Sequence, residues 1–278
     1  MNPALFILRP PAARRIRCLY PGNMEDTKWF DNKVCLVTGG TRGIGRAISE
    51  MLLNAGALVV VSGQRPESVE RALAGMTQKW PGKVKGKAAD LKHYAEVRQL
   101  FEYADQAFGP PGGSAGLGLD LLVNNAGIGR FGGVSSLSVE DWENTIGTNL
   151  TGAFFCSREA LFRFGTRGAG SIVNVSSLAG KNAFAGGAAY NASKFGLNGF
   201  SEALMLDARY DNVRVSTILP GSVATGFGRT TDNKNEDLGE DWKVHPEDVA
   251  ATVRMILQMP VRTLISQLEI RPSRPKRK

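Results

Sequence analysis

From residue 34 onward, short apolar runs alternate with longer segments whose apolar positions recur at helical spacing. That alternation predicts strands and helices in turn, and therefore an α/β fold around a parallel sheet. Val34–Thr38, Leu58–Ser62, Val84–Ala89, Leu119–Val123, Ile172–Ser176 and Val213–Leu219 read as strands, and Leu264–Ile270 as the strand that ends the sheet. Arg46–Asn54 reads as a helix with Gly56 at its C-terminal cap. Pro66 suits the first turn of the next helix, and His93–Phe108 forms a third. Ser138-Val-Glu-Asp141 reads as a capping box for a long helix. Ala188–Arg209 is a second long helix, and Pro246 opens one more. Pro110–Gly118 is a Gly/Pro loop where a short turn would do, and 221–245 is the longest stretch without period. Neither an internal repeat nor a linker divides the pattern, so one domain is expected over 24–270.

Composition changes this picture only at the ends. The chain has 278 residues, 42% of them hydrophobic and 22% charged, which excludes disorder, collagen and coiled coil. A net charge of +8 points at first to nucleic acid or a membrane surface. Residues 1–23 hold four Arg and no acid, however, and 271–278 hold five Lys or Arg and no acid, so 24–270 carries a net −1. The body is nearly neutral, and neither a nucleic-acid nor a membrane partner is expected. Residues 1–23 have the Arg-rich, acid-free character of an organelle transit peptide; the competing reading is a start at Met24. The basic 271–278 reads as a solvated tail. Cys18, Cys35 and Cys156 form no pairing pattern and suit a reducing compartment such as the cytoplasm. With only His93 and His245, no zinc-type cluster is expected.

Candidate chemistry begins right after the first strand, at Thr38-Gly39-Gly40-Thr41-Arg42-Gly43-Ile44-Gly45. Glycines there allow a tight turn and close approach to a pyrophosphate, which then faces the free N–H groups of a helix N-terminus. The spacing Gly39, Gly43, Gly45 departs from the usual G-x-G-x-x-G. The second strand runs into Ser62-Gly63-Gln64-Arg65, with no acid before Glu67 to accept from a ribose 2′-OH. Arg42 and Arg65 suit a 2′-phosphate instead, so NADP(H) is favoured and NAD(H) is the alternative.

Farther on, Ser177 is followed by Tyr190 and, four residues later, Lys194. An i, i+4 pair shares a helix face, and an ammonium near a phenol lowers a pKa that starts near ~10. Tyr190 is then a candidate acid for carbonyl reduction or base for alcohol oxidation, with Ser177 bonded to the substrate oxygen.

These motifs, with Asn124-Asn125-Ala126-Gly127, Tyr190-Asn-Ala-Ser-Lys194 and Pro220-Gly221, resemble in order and spacing the short-chain dehydrogenase/reductase family, in particular its 3-oxoacyl-[acyl-carrier-protein] reductase-like members. The resemblance implies one Rossmann-type, doubly wound parallel sheet of about seven strands with helices on both faces, and a homotetramer or homodimer. It implies Tyr190 as acid/base, Lys194 as a ribose contact that tunes Tyr190, Ser177 as substrate-orienting, and Asn149 as holder of a relay water. It places Asp90 on adenine, Ala126 and Gly127 along the adenosine ribose, and Thr225 on the nicotinamide carboxamide. Thr41, Ile44, Leu91, Asn125, Pro220, Gly221 and Val223 complete the implied cofactor contacts.

The expected activity is hydride transfer between a nicotinamide and a carbonyl or secondary alcohol, with a 3-oxoacyl thioester as one candidate. A nucleotide-binding sensor or scaffold without turnover is the rival. Ile128–Val134, Leu178–Gly187 and Ser222–Val244 are the expected specificity segments, and Arg130 either meets an anionic carrier or faces solvent.

Overall fold

The computed structural model describes residues 28–108, 118–227 and 242–275. Seven strands form one parallel sheet: β1 (Val34–Val37), β2 (Leu58–Gly63), β3 (Val84–Ala88), β4 (Leu119–Asn124), β5 (Gly170–Val175), β6 (Val213–Pro220) and β7 (Gln267–Ile270). Their order is β3-β2-β1-β4-β5-β6-β7. Helices α1 (Gly43–Asn54), α2 (Pro66–Lys79), α3 (Tyr94–Gln106), α4 (Val139–Ile146), α5 (Gly152–Arg167), α6 (Ala188–Ala208) and α7 (Pro246–Gln258) connect them.

The near-continuous apolar strands follow from burial on both faces. Side chains of a strand point alternately to its two faces. Cys35 and Val37 of β1 therefore pack with Ile48 and Leu52 of α1 and with Val249 and Val253 of α7. Val34 and Leu36 pack on the other side with Phe101 of α3, Phe164 of α5 and Leu204 of α6. This is the doubly wound arrangement that the family resemblance implied, on the parallel sheet that the pattern predicted.

The last strand begins at Gln267 rather than Leu264, and α1 begins at Gly43 rather than Arg46. Glycines in the first turn of α1 carry no side chain, so they mask its period. The long helix after Ser138 is interrupted: α4 passes through a π-helical turn, Gly147–Thr151, into α5. Ser138 Oγ does accept the Asp141 N–H at 3.0 Å. Gly56 adopts φ +93°, as a helix-terminating glycine does. Most of the Pro110–Gly118 loop and of the aperiodic 221–245 stretch lies outside the described residues.

β1 lies between β2 and β4, so the chain winds outward in one direction to β3 and then in the other from β4. At such a switch point the crevice at the carboxyl ends of the strands is where ligands bind. Among the described residues no helix is long and apolar enough to cross a membrane. No group of His, Cys, Asp or Glu among them is set to hold a metal.

Phe164 is fully buried beneath β5, whereas Val134 is 81% exposed. Phe164→Ala should cost about 3–5 kcal/mol of stability, and Val134→Ala no more than about 0.5 kcal/mol. Denaturant titrations of the two variants check this.

Candidate active site

A cleft of about 1050 Å³ opens along the carboxyl ends of the strands. At its centre the end of β1 is tied to the end of β4. Thr38 Oγ1 accepts the N–H groups of Asn125 at 3.0 Å and Ala126 at 3.1 Å, and donates to the Val123 carbonyl at 3.2 Å. The Asn125 amide donates to the carbonyls of Thr38 and Gly39, at 3.0 and 3.1 Å.

Above this clamp the chain turns through Gly39 at φ +62° and Gly43 at φ +54°, a region that favours glycine. Helix α1 then begins with no side-chain cap and no acid in its first turn. Its free N–H groups face the cleft and fit a phosphate. Gly45 does not line the cleft; a side chain there would collide with Asn125 and the Gly39 carbonyl, so its role is close packing.

Beyond the glycine loop the wall is built from Ser62, Gln64, Arg65, Ser68, Asp90 and Leu91. Gln64 donates to Asp90 at 3.0 Å, and the Lys92 N–H donates to the other carboxylate oxygen at 3.1 Å. Partial burial opposes ionisation of Asp90, but these hydrogen bonds and the Lys92 charge outweigh it and hold its pKa below the usual value. Arg42 and Arg65 line the same end, and neither forms an ion pair with a described residue.

At the other end stand Ser177, Tyr190 and Lys194. Ser177 caps the short 3₁₀ turn after β5, its Oγ accepting the Ala179 N–H at 3.1 Å. Its hydroxyl is a polar neighbour of the Tyr190 phenol and acts to lower the phenol pKa. Helix α6 carries Tyr190 and Lys194 one turn apart, and Lys194 Nζ donates to the Val175 carbonyl at 3.0 Å. That ammonium lies 5.9 Å from the centroid of the Tyr190 ring. Burial drives the Lys194 pKa down to about 8.

One electrostatic expectation is corrected. The neighbouring cation does not bring the Tyr190 pKa below its usual value. Burial raises it, and the Ser177 hydroxyl offsets this only in part. Desolvation acts on both groups, and the ammonium is directed at a backbone carbonyl.

Asn149 lies behind the cleft wall, in the π-helical turn. Its amide donates to the Ile128 carbonyl at 2.9 Å and to Ser193 Oγ at 3.0 Å, and its oxygen accepts the Ile128 N–H at 2.8 Å. Ser193 in turn donates to the Tyr190 carbonyl at 2.8 Å. Apart from Asn149 and Gly45, the cofactor and catalytic residues expected from the sequence all line the cleft.

Sequence reasoning missed three elements. Thr38 was read only as part of a motif, although a buried threonine ending a strand is a signal for such a clamp. Ser193 lay unremarked between Tyr190 and Lys194. Phe131 and Phe227 flank Tyr190, with centroids 5.7 and 5.6 Å from its ring, and Phe184 stands against Phe131; all three lie in the expected specificity segments, but their meeting was not foreseen. No local pattern joins three phenylalanines from three separate loops.

Strand ends, an uncapped helix and a Ser–Tyr–Lys cluster in one cleft define a class: an oxidoreductase that uses a nicotinamide nucleotide. The profile of the short chain dehydrogenases matches residues 33–236, and the chain belongs to that family. A 3alpha-hydroxysteroid dehydrogenase of Mediterraneibacter gnavus is 35% identical over 195 residues, 70% of this chain and 75% of that protein. A 3-oxoacyl-[acyl-carrier-protein] reductase of Aquifex aeolicus is 33% identical over 232 residues, 81% and 89% of the two chains. The solved structure of a serine dehydrogenase complexed with NADP+ superposes with TM-score 0.76 at 30% identity, covering 86% of this chain and 94% of that one.

A buried lysine with a lowered pKa destabilises the fold while it is charged. That penalty is complete below about pH 8 and vanishes as the pH rises to the unfolded value of 10.5, because between the two the unfolded chain binds more protons. Lys194→Met should therefore gain stability relative to wild type at pH 7, and the gain should shrink between pH 8 and 10.5. Thermal unfolding of both proteins across that range measures it.

Proposed function

We propose that the enzyme is NADP(H)-dependent and reduces a carbonyl compound, or oxidises the corresponding secondary alcohol. The observation that carries this reading is Ser177 and Tyr190 together beside buried Lys194, at the end of a cleft whose far end presents Arg42 and Arg65. The bound nicotinamide supplies or accepts the hydride. Arg42 and Arg65, with Ser62 and Ser68 nearby, hold the 2′-phosphate, and guanidinium groups suit that anion. The α1 N-terminus holds the pyrophosphate. Asp90 and Leu91 border the adenine, while Asn125, Ala126 and Gly127 follow the ribose. Thr41, Ile44, Pro220, Gly221, Val223 and Thr225 close the remaining walls.

Tyr190 delivers the proton to the carbonyl oxygen, and Ser177 holds that oxygen as its charge develops. Lys194 contacts the nicotinamide ribose and keeps positive charge beside the phenol. Asn149 is a positioning residue, fixing Ile128 on one side and Ser193 on the other. An NAD(H)-dependent enzyme is the second reading, favoured by Gln64, which is uncharged and already bonded to Asp90. Exposed Phe154 and Phe162 on α5 and Phe195 and Leu206 on α6 support self-association into a homodimer or homotetramer.

Tyr190→Phe should lower kcat by about 10²–10⁴-fold, the size of a lost general acid. Full turnover in this variant would sink the assignment, and NADPH binding with no oxidation across a broad carbonyl panel would favour a scaffold. Replacing both Arg42 and Arg65 by Ala should raise the KM for NADPH about 10–100-fold, as loss of charged hydrogen bonds predicts. The KM for NADH should change little. Parallel kinetics with the two nucleotides decide between the cofactor readings.

A further inference from the structure

We infer that Phe131, Phe184 and Phe227 form an aromatic cup that selects substrates whose carbonyl is borne on a flat, uncharged ring system. The inference rests on Tyr190 as the proton donor, because the cup is built around its ring. Phe131 follows β4, Phe184 follows β5 and Phe227 follows β6. Phe131 stands edge-on to Tyr190, with centroids 5.7 Å apart and planes at 70°. Phe227 flanks Tyr190 at 5.6 Å, and Phe184 continues the wall 5.9 Å from Phe131. All three nevertheless remain 41–49% exposed. Large apolar faces left open beside a cleft mark a ligand surface.

The cup is built into the backbone rather than draped over it. A side chain at Gly129 would come 2.7 Å from the Phe131 ring and 3.0 Å from that of Phe227. One at Gly187 would come 2.6 Å from the Phe184 ring. Glycine at these positions lets each ring seat against main chain. The loops that carry Phe131 and Phe184 are joined by the Gly132 N–H, which donates to the Gly186 carbonyl at 2.8 Å.

Among the described residues, the loops after β4 and β5 bring no unpaired charge to this end. Besides the two phenylalanines, residues 128–131 and 178–184 contribute Ile128, Leu178, Ala179, Asn182 and Ala183 to the lining. The cations of these segments are tied elsewhere: Arg130 to Asp141 at 3.2 Å, and Lys181 to Glu269 at 2.8 Å. Lys243 also lines the cleft, on the Val223–Val244 side, where its ammonium lies 5.6 Å from the Trp242 ring. A flat ring gains from edge and face contacts with three aromatic rings. A flexible acyl chain on an anionic carrier gains neither those contacts nor a free cation from these two loops.

The test compares 2-tetralone with 2-decanone, which match in carbon number, as substrates with NADPH. Wild type should prefer the ring ketone in kcat/KM by about ten-fold or more. Phe131→Leu, Phe184→Leu and Phe227→Leu keep apolar bulk but remove the ring. Each should lower the ring-to-linear ratio about three- to ten-fold, mainly through KM. Equal or reversed preference in wild type, or a ratio unchanged in all three variants, overturns the inference. Equilibrium binding of 2-naphthol to the NADP+-loaded protein separates the two levels. Saturable binding weakened by the leucine variants, without turnover of any ketone, supports the cup and overturns the oxidoreductase assignment. Turnover of 2-decanone with no ring preference and no naphthol binding does the reverse.

Discussion

The site depends on one small knot of hydrogen bonds, in which Thr38 and Asn125 lock the ends of β1 and β4 together at the switch point. Thr38 is buried, and a buried polar group left unpaired costs about 1–3 kcal/mol. The arrangement is thus held by what its failure would cost. From one side of the knot runs the glycine loop, then the start of α1, with Arg42 at its N-cap. From the other runs Ala126 to Ile128, which Asn149 grips by both backbone groups. Asn149 passes the connection to Ser193, and Ser193 to the Tyr190 carbonyl. These hydrogen bonds, with the short 126–128 segment between them, connect the glycine-loop end of the cleft to the phenol.

The electrostatics at the phenol end follow from burial more than from pairing. Removal from water favours the neutral form of any ionisable group. It therefore raises the Tyr190 pKa and lowers that of Lys194, two shifts with one cause. A phenol held above its ordinary pKa keeps its proton at neutral pH, and the protonated form is the one that donates to a carbonyl oxygen. The π-helical turn around Asn149 belongs to the same design. Such turns are rare and favour functional sites. Here the turn places a side-chain amide where an α-helical path would offer only backbone already bonded to itself.

Much of this was legible in the sequence, for identifiable reasons. Strands buried on both faces are written as apolar runs, and β1 to β6 were found within two residues at either end. β7 was less legible because its four residues alternate between exposed and half-buried, so its apolar signal is diluted by Gln267 and Glu269. Gly39 and Gly43 were legible because a positive φ leaves a mark in residue type. Tyr190 and Lys194 were legible because helical spacing places them together. The turn that interrupts α4 and α5 left no mark, since Gly147–Thr151 reads as ordinary helix. The Tyr190 pKa could not be read either, because solvent exclusion belongs to the assembled cleft and not to a spacing.

The aromatic cup shows the same limit from the other side. Phe131, Phe184 and Phe227 meet only because β4, β5 and β6 are neighbours in the sheet and release their loops at one edge. The topology brings them together, while the glycines at 129 and 187 let the rings settle against backbone. The two ends of the cleft thus follow different rules. At the end that carries Arg42 and Arg65 the groups are a strand end, a helix start and two arginines, which suit an anion. At the mouth they lie on loops and are addressed to shape. On the proposed NADP(H) reading, the 2′-phosphate at Arg42 and Arg65 would set the nucleotide's direction and leave its nicotinamide ring toward Tyr190. The proposed hydride chemistry thus rests on groups at strand and helix ends, and the proposed substrate choice on rings carried by loops.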